Sequence, residues 1–272
     1  MKAASSSRTN LAGSALLALV VLFLYGPLIV LIGNSFNASK YGGRWAGFTT
    51  HWYVDLVKDG ATLSALGNTL LVATVAGVGA TILGSVAAWS IHHFKSPLQR
   101  LHLLLTQLPM VVPDMWIGVA MQVFLIQVAW SLSLGTVMIA HVTFCVCYVT
   151  ALMLGRMQSF DFSVIEAARD LGASWSQVVL RVVLPLLGPS MVAAFILSLL
   201  LSIDDFVITF FVSGPGSSTL PNRVFSMAKT SRSFPVINAL STLLIFATLV
   251  LTLLGNRLIR PNANPKNVPV SE

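Results

Sequence analysis

Long apolar runs alternate with short polar connections along the whole chain. A transmembrane α-helix needs about 20 mostly apolar residues, and six runs reach that length. The runs cover residues 11–33, 66–91, 101–130, 135–155, 189–212 and 236–259. The pattern predicts an all-α integral membrane protein with six transmembrane helices, forming one domain over residues 1–272.

Composition excludes an ordinary soluble protein. Hydrophobic residues make up 56% of the chain and charged residues only 9%, whereas a water-facing surface needs roughly a quarter of its residues charged. The net charge of +7 comes from single basic residues scattered between apolar runs, without the basic stripe of a nucleic-acid-binding protein. We therefore expect membrane lipid around most of the surface, and no nucleic-acid partner.

Basic residues predict the orientation in the membrane. With a cytoplasmic N-terminus, the inside segments hold ten Lys and Arg and the outside segments six, as the positive-inside rule requires. Both termini, residues 1–10 and the polar tail 261–272, are therefore predicted to be cytoplasmic. The first run exceeds the apolar core of a signal peptide, so we interpret it as a retained anchor. The inside residues are Lys2, Arg8, Lys95, Arg100, Arg156, Arg169, Arg181, Arg257, Arg260 and Lys266; the outside residues are Lys40, Arg44, Lys58, Arg223, Lys229 and Arg232.

Two sequence features predict the shape of particular helices. Pro109 and Pro113 remove backbone donors from the third run, so we expect that helix to be kinked or broken. In the second run, small residues at every fourth position line one helix face, which lets another backbone approach closely. These small residues are Ala76, Ala80, Gly84 and Ala88.

Residues that carry catalytic or metal chemistry are sparse. Cys145 and Cys147 lie inside an apolar run without disulfide or zinc spacing, so we treat them as small hydrophobic residues. His92 and His93 lack further ligands nearby, and we assign no metal. His141 is either a proton relay or a neutral imidazole hydrogen-bonded between helices, and the second is favoured. The chain lacks the G-x-x-x-x-G-K-[ST] phosphate loop, so we expect neither a cofactor nor enzyme activity.

The connection between the fourth and fifth runs, residues 156–188, carries signals for helix starts. Ser163 followed by Glu166, and Ser174 followed by Gln177, each match a capping box in which side chains satisfy the free amides of a first turn. Two short helices are therefore predicted in this connection.

Glycine and proline predict that these two helices form a rigid elbow, the name used below for residues 163–183. Gly172 allows the positive φ that ends the first helix, and Pro185 is expected to stop the second as the chain turns toward the membrane. The elbow would present a charged and apolar surface to a soluble partner. That surface consists of Glu166, Arg169, Asp170, Trp175, Val178, Val179 and Val182.

The elbow region contains a spaced motif: Glu166-Ala167-Ala168, Gly172, Val182 and Leu184-Pro185. It resembles the EAA motif of binding-protein-dependent ABC importer permeases, with Val182 in place of the commoner isoleucine. The resemblance implies a type I ABC importer permease fold, in which this segment is the coupling helix that docks on a cytoplasmic ATPase. The coupling residues that it implies are Glu166, Ala167, Ala168, Asp170, Gly172, Leu184 and Pro185.

Further stretches resemble the polyamine permeases of this family. They are Leu108–Asp114, Ala140–Cys145, Leu201–Phe206, Phe211–Gly216 and Ile237–Leu240. The resemblance implies import of putrescine or spermidine across the bacterial inner membrane by alternating access. It also implies three partners: a homologous permease subunit, two copies of an ATPase that binds ATP and Mg²⁺, and a periplasmic or extracellular polyamine-binding protein. Which polyamine is carried, and whether the two permease subunits are identical, stay open.

Three carboxylates lie inside the predicted spans: Asp114, Asp204 and Asp205. A charged side chain there costs about 2.5 to 3.5 kcal/mol on insertion scales and normally faces a partner or a wet cavity. No Lys or Arg lies in the middle of any run, so a polycationic substrate would supply the partner. Trp116, in the turn after Asp114, would stack on a substrate ammonium group. We therefore place these four residues on the substrate pathway.

Other roles for the same residues stay open. The carboxylates would alternatively bond to backbone freed by Pro109 and Pro113, cap broken helices, or pair with an Arg of a partner subunit. Asp204 and Asp205 point about 100° apart on a helix, so one of them is expected to be structural. For Trp116, a packed or lipid-facing indole is favoured over a stacking contact with substrate.

Other functions also remain. An ion-gradient-driven secondary transporter of a small cation places carboxylates in membrane helices too, and an ABC permease for another small organic solute shares the same frame. A membrane scaffold would tolerate neutralisation of all three aspartates. The outer loops, 34–65 and 213–235, either meet a soluble binding protein or merely cover helix ends.

Overall fold

The computed structural model describes residues 3–41, 43–94, 97–230 and 234–259, with side chains between residues 13 and 255. Five basic residues of the orientation analysis and the tail lie outside the described residues: Lys2, Lys95, Arg232, Arg260, Lys266 and 261–272. Most of the described chain is helical, and its β contact is an isolated antiparallel bridge between Asn37 and Phe48.

The helices are numbered in chain order. The first six are α1 (Ala3–Ser35), α2 (His51–Lys58), α3 (Gly60–His93), α4 (Gln99–Val111), α5 (Asp114–Gln127) and α6 (Leu134–Gln158). The others are α7 (Ser163–Asp170), α8 (Trp175–Val178), α9 (Leu184–Asp204), α10 (Val207–Val212), α11 (Leu220–Thr230) and α12 (Phe234–Ile259), with a π turn (Val179–Val183) between α8 and α9.

Within the described ranges, five helices are long and apolar enough to cross a membrane, or six when one bent pair counts as a single span. The pair is α4 and α5, which meet at an angle of 107°. Val112 has extended backbone, with ψ 131°, because the ring of Pro113 disfavours helical geometry in the preceding residue. The expected break is confirmed, and the run 101–130 is corrected from one helix to two.

The predicted fifth helix, 189–212, is also corrected. A continuous helical stretch runs from Trp175 to Asp204, and α10 follows after two non-helical residues. Pro185 does not stop this stretch, contrary to expectation. In the π turn, the N–H of Leu184 donates to the carbonyl of Val179 five residues back, so the hydrogen-bond register shifts where proline has no N–H to donate.

The described residues form two compact units, 3–63 with 224–246, and 64–223 with 247–259. In the first unit, the apolar window of α1 contains no buried side chain. The turn after α1 is organised by the buried Asn37, whose side-chain amide donates to the carbonyl of Arg44 at 2.9 Å. The indole of Trp52 in α2 donates to the Asn37 carbonyl at 2.8 Å. These two bonds hold the turn against α2.

The second unit is built around α6, which packs against α4, α9 and α10. Cys145 and Cys147 of α6 are buried free thiols, as expected of small hydrophobic residues. The small face of α3 is also buried, with Ala76, Ala80 and Ala88 inaccessible to solvent. A Cβ added to Gly84 would lie 2.6 Å from a methyl group of Val149 in α6. The predicted close packing of α3 is therefore confirmed.

Candidate functional site

The elbow begins with a different cap from the one expected. Ser163 is the first residue of α7, and Phe162 occupies the N-cap without a side-chain hydrogen bond. Asp161 instead accepts the N–H of Ser163 at 3.0 Å, and hydrogen bonds from Ser163 lower the pKa of that carboxyl. The Ser163–Glu166 capping box is therefore wrong, because an acidic residue two positions before the N–H competes for it.

A tight turn at Gly172 joins the two elbow helices, as predicted. Gly172 has φ +85°, and its N–H donates to the carbonyl of Arg169 at 2.9 Å. The N–H of Ala173 donates to the carbonyl of Ala168 at 3.1 Å. These two bonds make a Schellman motif, which requires the left-handed conformation that glycine adopts at little cost.

The second elbow helix starts at a complete capping box, which is confirmed. The N–H of Gln177 donates to the Ser174 hydroxyl at 3.4 Å, and the N–H of Ser174 donates to the Gln177 side chain at 2.8 Å. Val178 follows and is fully buried, so the expectation that it belongs to the presented surface is corrected. It packs into the core of the second unit.

Most of the implied coupling residues lie on the exposed surface of the elbow region. Glu166, Ala167, Asp170, Gly172, Leu184 and Pro185 are exposed, and Ala168 is half-buried. The most exposed apolar side chain of the elbow is Leu171, at 90%, which the sequence analysis did not single out.

Aromatic stacking attaches the elbow to the end of α3. The ring of Phe162 stacks on His92 at 4.9 Å and lies 6.0 Å from Trp89. Beside this contact, a cleft of about 610 Å³ is lined by Glu166 and Arg169, among others. The elbow is therefore held against a long helix, and its charged side chains are left accessible.

The second candidate site lies at the break between α9 and α10. Asp205 has extended backbone there, with ψ 122°. Its carboxylate accepts the N–H groups of Ile208 and Thr209, at 3.2 and 2.9 Å, and the Thr209 hydroxyl at 2.9 Å. The break thus frees backbone donors in the first turn of α10, and Asp205 satisfies them.

His141 of α6 completes this buried network. Its Nε2 lies 3.2 Å from the Asp205 carboxylate and 2.8 Å from the Thr209 hydroxyl, and its Nδ1 lies 2.7 Å from the Ser202 hydroxyl. The side chains of His141 and Asp205 are only 2% and 7% exposed. Because Thr209 donates its proton to Asp205, its oxygen accepts from Nε2–H, and Nδ1 of a neutral ring accepts from Ser202. The neutral, bonded imidazole favoured from the sequence fits this geometry.

The other residues of the predicted substrate pathway lie on exposed surface of the second unit. Asp204 is the last residue of α9 and Asp114 the first of α5, and both are exposed. Across the described ranges, neither carboxylate makes a hydrogen bond or ion pair. Trp116 is exposed and lines an apolar cleft of about 530 Å³ at the α4–α5 bend. Within the described residues, Asp205 is the only one of the three aspartates whose carboxylate has hydrogen-bond or ion-pair partners.

Comparison with solved structures defines the class of the fold. A bacterial alginate ABC transporter matches with a TM-score of 0.71 at 16% identity, covering 95% of this chain and 98% of that one; the same kind of transporter is also known in complex with an alginate-bound periplasmic protein. The MetNI methionine ABC transporter matches with a TM-score of 0.61 at 18% identity, covering 76% and 96%. The fold is that of the type I ABC importer permeases, as expected.

Sequence comparison identifies the family. Residues 80–261 match the family described as binding-protein-dependent transport system inner membrane component, and the chain belongs to it. The spermidine/putrescine permease PotC of Haemophilus influenzae is 35% identical over 249 residues, 92% of this chain and 96% of the relative. The putrescine permease PotI of Escherichia coli K12 is 38% identical over 239 residues, 85% of each chain. The protein is therefore an inner-membrane permease subunit rather than an enzyme.

Proposed function

We propose that the chain is one of the permease subunits of an ATP-driven importer of polyamines, carrying putrescine, spermidine or both. The observation that carries this proposal is the identity of 34–38% to polyamine permeases over most of the chain. Within the described residues, the carboxylates of Asp114 and Asp204 are exposed and have no hydrogen-bond or ion-pair partner. They support the proposal, because a polycation is the natural partner for acidic groups in a membrane-embedded pathway.

The proposed assembly contains a homologous permease subunit, two copies of a cytoplasmic ATPase that hold ATP and Mg²⁺, and a polyamine-binding protein outside. The unburied apolar window of α1 supports a further membrane partner or lipid on that helix. Trp89 and His92 of α3 contact Phe162 beside the elbow.

Three arginines lie in or next to the elbow: Arg156, Arg169 and Arg181. Positive charge concentrated there supports a cytoplasmic elbow, with both termini on that side.

Coupling to the ATPase proceeds through the elbow. Its exposed surface around Glu166 and Leu171 docks on the ATPase, and nucleotide-driven closure moves the elbow as a rigid body. The continuous helical stretch Trp175–Asp204 contains 30 residues, which corresponds to about 45 Å of helix. One end belongs to the elbow, and the other reaches the break that carries the aspartates. Movement of the elbow therefore reorients the pathway, which alternates between the two sides of the membrane.

The pathway itself uses Asp114, Asp204 and Trp116. The two carboxylates attract the ammonium groups of the cargo, and the indole offers a face for cation–π contact. Asp205 stays in the structural network described above, in agreement with the expectation that one of the adjacent aspartates is structural. Membership of a binding-protein-dependent family gives no support to the alternative of an ion-gradient-driven transporter.

Reconstitution tests the proposal. The tagged chain is expressed in its native cells together with their ATPase, partner permease and binding protein. The complex is purified through the tag and reconstituted into liposomes, with ATP on the side that carries the ATPase. We expect uptake of labelled putrescine or spermidine that depends on ATP and on the loaded binding protein. Failure of the tagged chain to bring down an ATPase, or ATP-dependent uptake of other solutes but not of either polyamine, would overturn the proposal.

A further inference from the structure

The imidazole of His141 bridges the break between α9 and α10. Its Nδ1 contacts Ser202, in the last turn of α9, and its Nε2 contacts Thr209, in the first turns of α10. One side chain from α6 therefore holds both helices at the point where the backbone hydrogen-bond ladder is interrupted. All of these groups are buried, so water does not compete for the bonds.

The same network determines which aspartate remains available. Asp205 is bound by His141, by the Thr209 hydroxyl and by two backbone N–H groups. The preceding residue, Asp204, is exposed and has no hydrogen bond or ion pair to the described part of the chain. The local backbone sets the directions in which successive side chains leave the chain. The bonds that fix Asp205 therefore also fix the direction of Asp204.

We infer that His141 is a positioning residue, which clamps the α9–α10 break and thereby aims the Asp204 carboxylate at cationic cargo. This inference rests on the proposed function, since it needs a polyamine to pass the break. His141 and Asp205 do not touch the cargo themselves. They hold a non-helical geometry that the backbone alone would not keep, and Asp204 makes the contact.

Uptake through this break should depend on the charge of the cargo. Spermidine carries three ammonium groups and putrescine two, and the attraction to a carboxylate grows with the charge of its partner. A well-aimed Asp204 therefore favours the trication more than a misaimed one. A change in the ratio of the two uptake rates therefore reports a change in the position of the Asp204 carboxylate. An equal fall in both rates reports only a loss of folded protein.

The experiment is a double-mutant cycle in the complete transporter. Initial uptake rates of spermidine and putrescine are measured in proteoliposomes at saturating loaded binding protein, for wild type, His141→Ala, Asp204→Asn and the double variant. We expect each single change to lower the spermidine-to-putrescine ratio about five-fold. The double variant is expected to give the same spermidine-to-putrescine ratio as Asp204→Asn, because residue 204 then carries no charge whose position His141 could affect.

Milder variants guard against misfolding. His141→Gln keeps a donor near Thr209, His141→Asn keeps an acceptor near Ser202, and Ser202→Ala removes only the bond to α9. Each retains half of the clamp, so each is expected to give an intermediate ratio. Thr143→Val is the matched control, because Thr143 lies on the same helix, is exposed, and its hydroxyl donates to the carbonyl of Ile139 within that helix.

The outcomes separate this inference from the proposed function. If wild type takes up neither polyamine, the proposed function fails. If wild type transports both, two results would overturn the clamp: additive ratio changes in the double variant, or His141 variants that lower both rates equally. An unchanged ratio in Asp204→Asn would likewise overturn it, because Asp204 would then not sense cargo charge.

Discussion

The elbow and the α9–α10 break are the two irregular regions at the ends of one long helix, and they treat polar groups in opposite ways. In the elbow, the side chains of Glu166 and Asp170 are exposed, and backbone hydrogen bonds hold the turn at Gly172. At the break, Asp205 and His141 are buried and bond to each other. The elbow therefore leaves its side chains available to another protein, while the break uses them to hold its own geometry.

This difference separates binding from stability. A residue of the elbow surface can be changed without unfolding the chain, because its side chain contacts solvent in the isolated subunit. A residue of the buried network cannot, since removing it leaves unpaired donors or acceptors away from water. Substitutions in the two regions should therefore move different measurements.

The largest effect is expected for Asp205→Ala. The change leaves the N–H groups of Ile208 and Thr209 and the Thr209 hydroxyl without their acceptor in a buried site, which should destabilise the protein by about 3 kcal/mol or more. Thermal unfolding of the purified subunit in detergent measures this, with Asp204→Ala as the control. Equal melting temperatures for the two alanine variants would contradict the assignment of Asp205 to a structural network.

Leu171→Ala is expected to act on docking alone. Leu171 is almost fully exposed in this chain, so its truncation should leave the melting temperature unchanged. If the ATPase covers it, the loss of buried apolar surface should weaken docking by about 2 kcal/mol, or roughly 30-fold. Retention of the ATPase on the tagged subunit and ATP-driven uptake are the measurements. The matched variant is Val178→Ala, which changes a fully buried elbow residue and should lower stability instead.

Local backbone rules explain which parts could be predicted from the sequence. Pro113 forces the preceding residue out of helical geometry, and Gly172 alone tolerates the turn at the end of α7, so both breaks follow from the residues themselves. The Ser174–Gln177 box is equally local. The Ser163–Glu166 capping box does not form because Asp161 offers a competing acceptor for the Ser163 N–H. Pro185 does not end the helix because the π turn shifts the hydrogen-bond register at the point where proline has no N–H to donate. Neither competitor is visible in hydrophobic periodicity.

Tertiary contacts explain what could not be predicted. His141 and Thr209 are separated by 68 residues, and no local pattern indicates that their helices meet at the break. The adjacent aspartates looked equivalent in sequence, although one is bonded and the other exposed. Leu171 was missed for the opposite reason, because an apolar residue in an amphipathic segment is normally expected to be buried.

Gly172→Ala should have an intermediate effect, within the elbow itself. A residue with a Cβ is strained by about 1 to 2 kcal/mol at φ +85°, although no neighbouring atom lies within 4 Å of the added group. We therefore expect a small loss of stability with a clear loss of uptake, because the turn that sets the angle between α7 and α8 is disturbed. Gly188→Ala is the control, since that position has equal space and no positive φ. Equal effects of the two changes would show that the angle of the elbow does not matter.

The smallest effect is expected at the start of the elbow and depends on pH. Hydrogen bonds from Ser163 depress the pKa of Asp161 below its ordinary value of 3.8, so its stabilisation of the first turn of α7 is complete above that value and is lost as pH falls through the lower, folded pKa. Hydrogen–deuterium exchange of the α7 amides should therefore be a few-fold faster in Asp161→Ala than in wild type at pH 6. The difference should shrink as the pH is lowered well below 3.8, whereas Asp170→Ala, at the far end of the same helix, should not alter first-turn exchange at any pH. A difference that stays constant with pH would mean that the charge of the Asp161 carboxylate does not contribute to the stability of the first turn of α7.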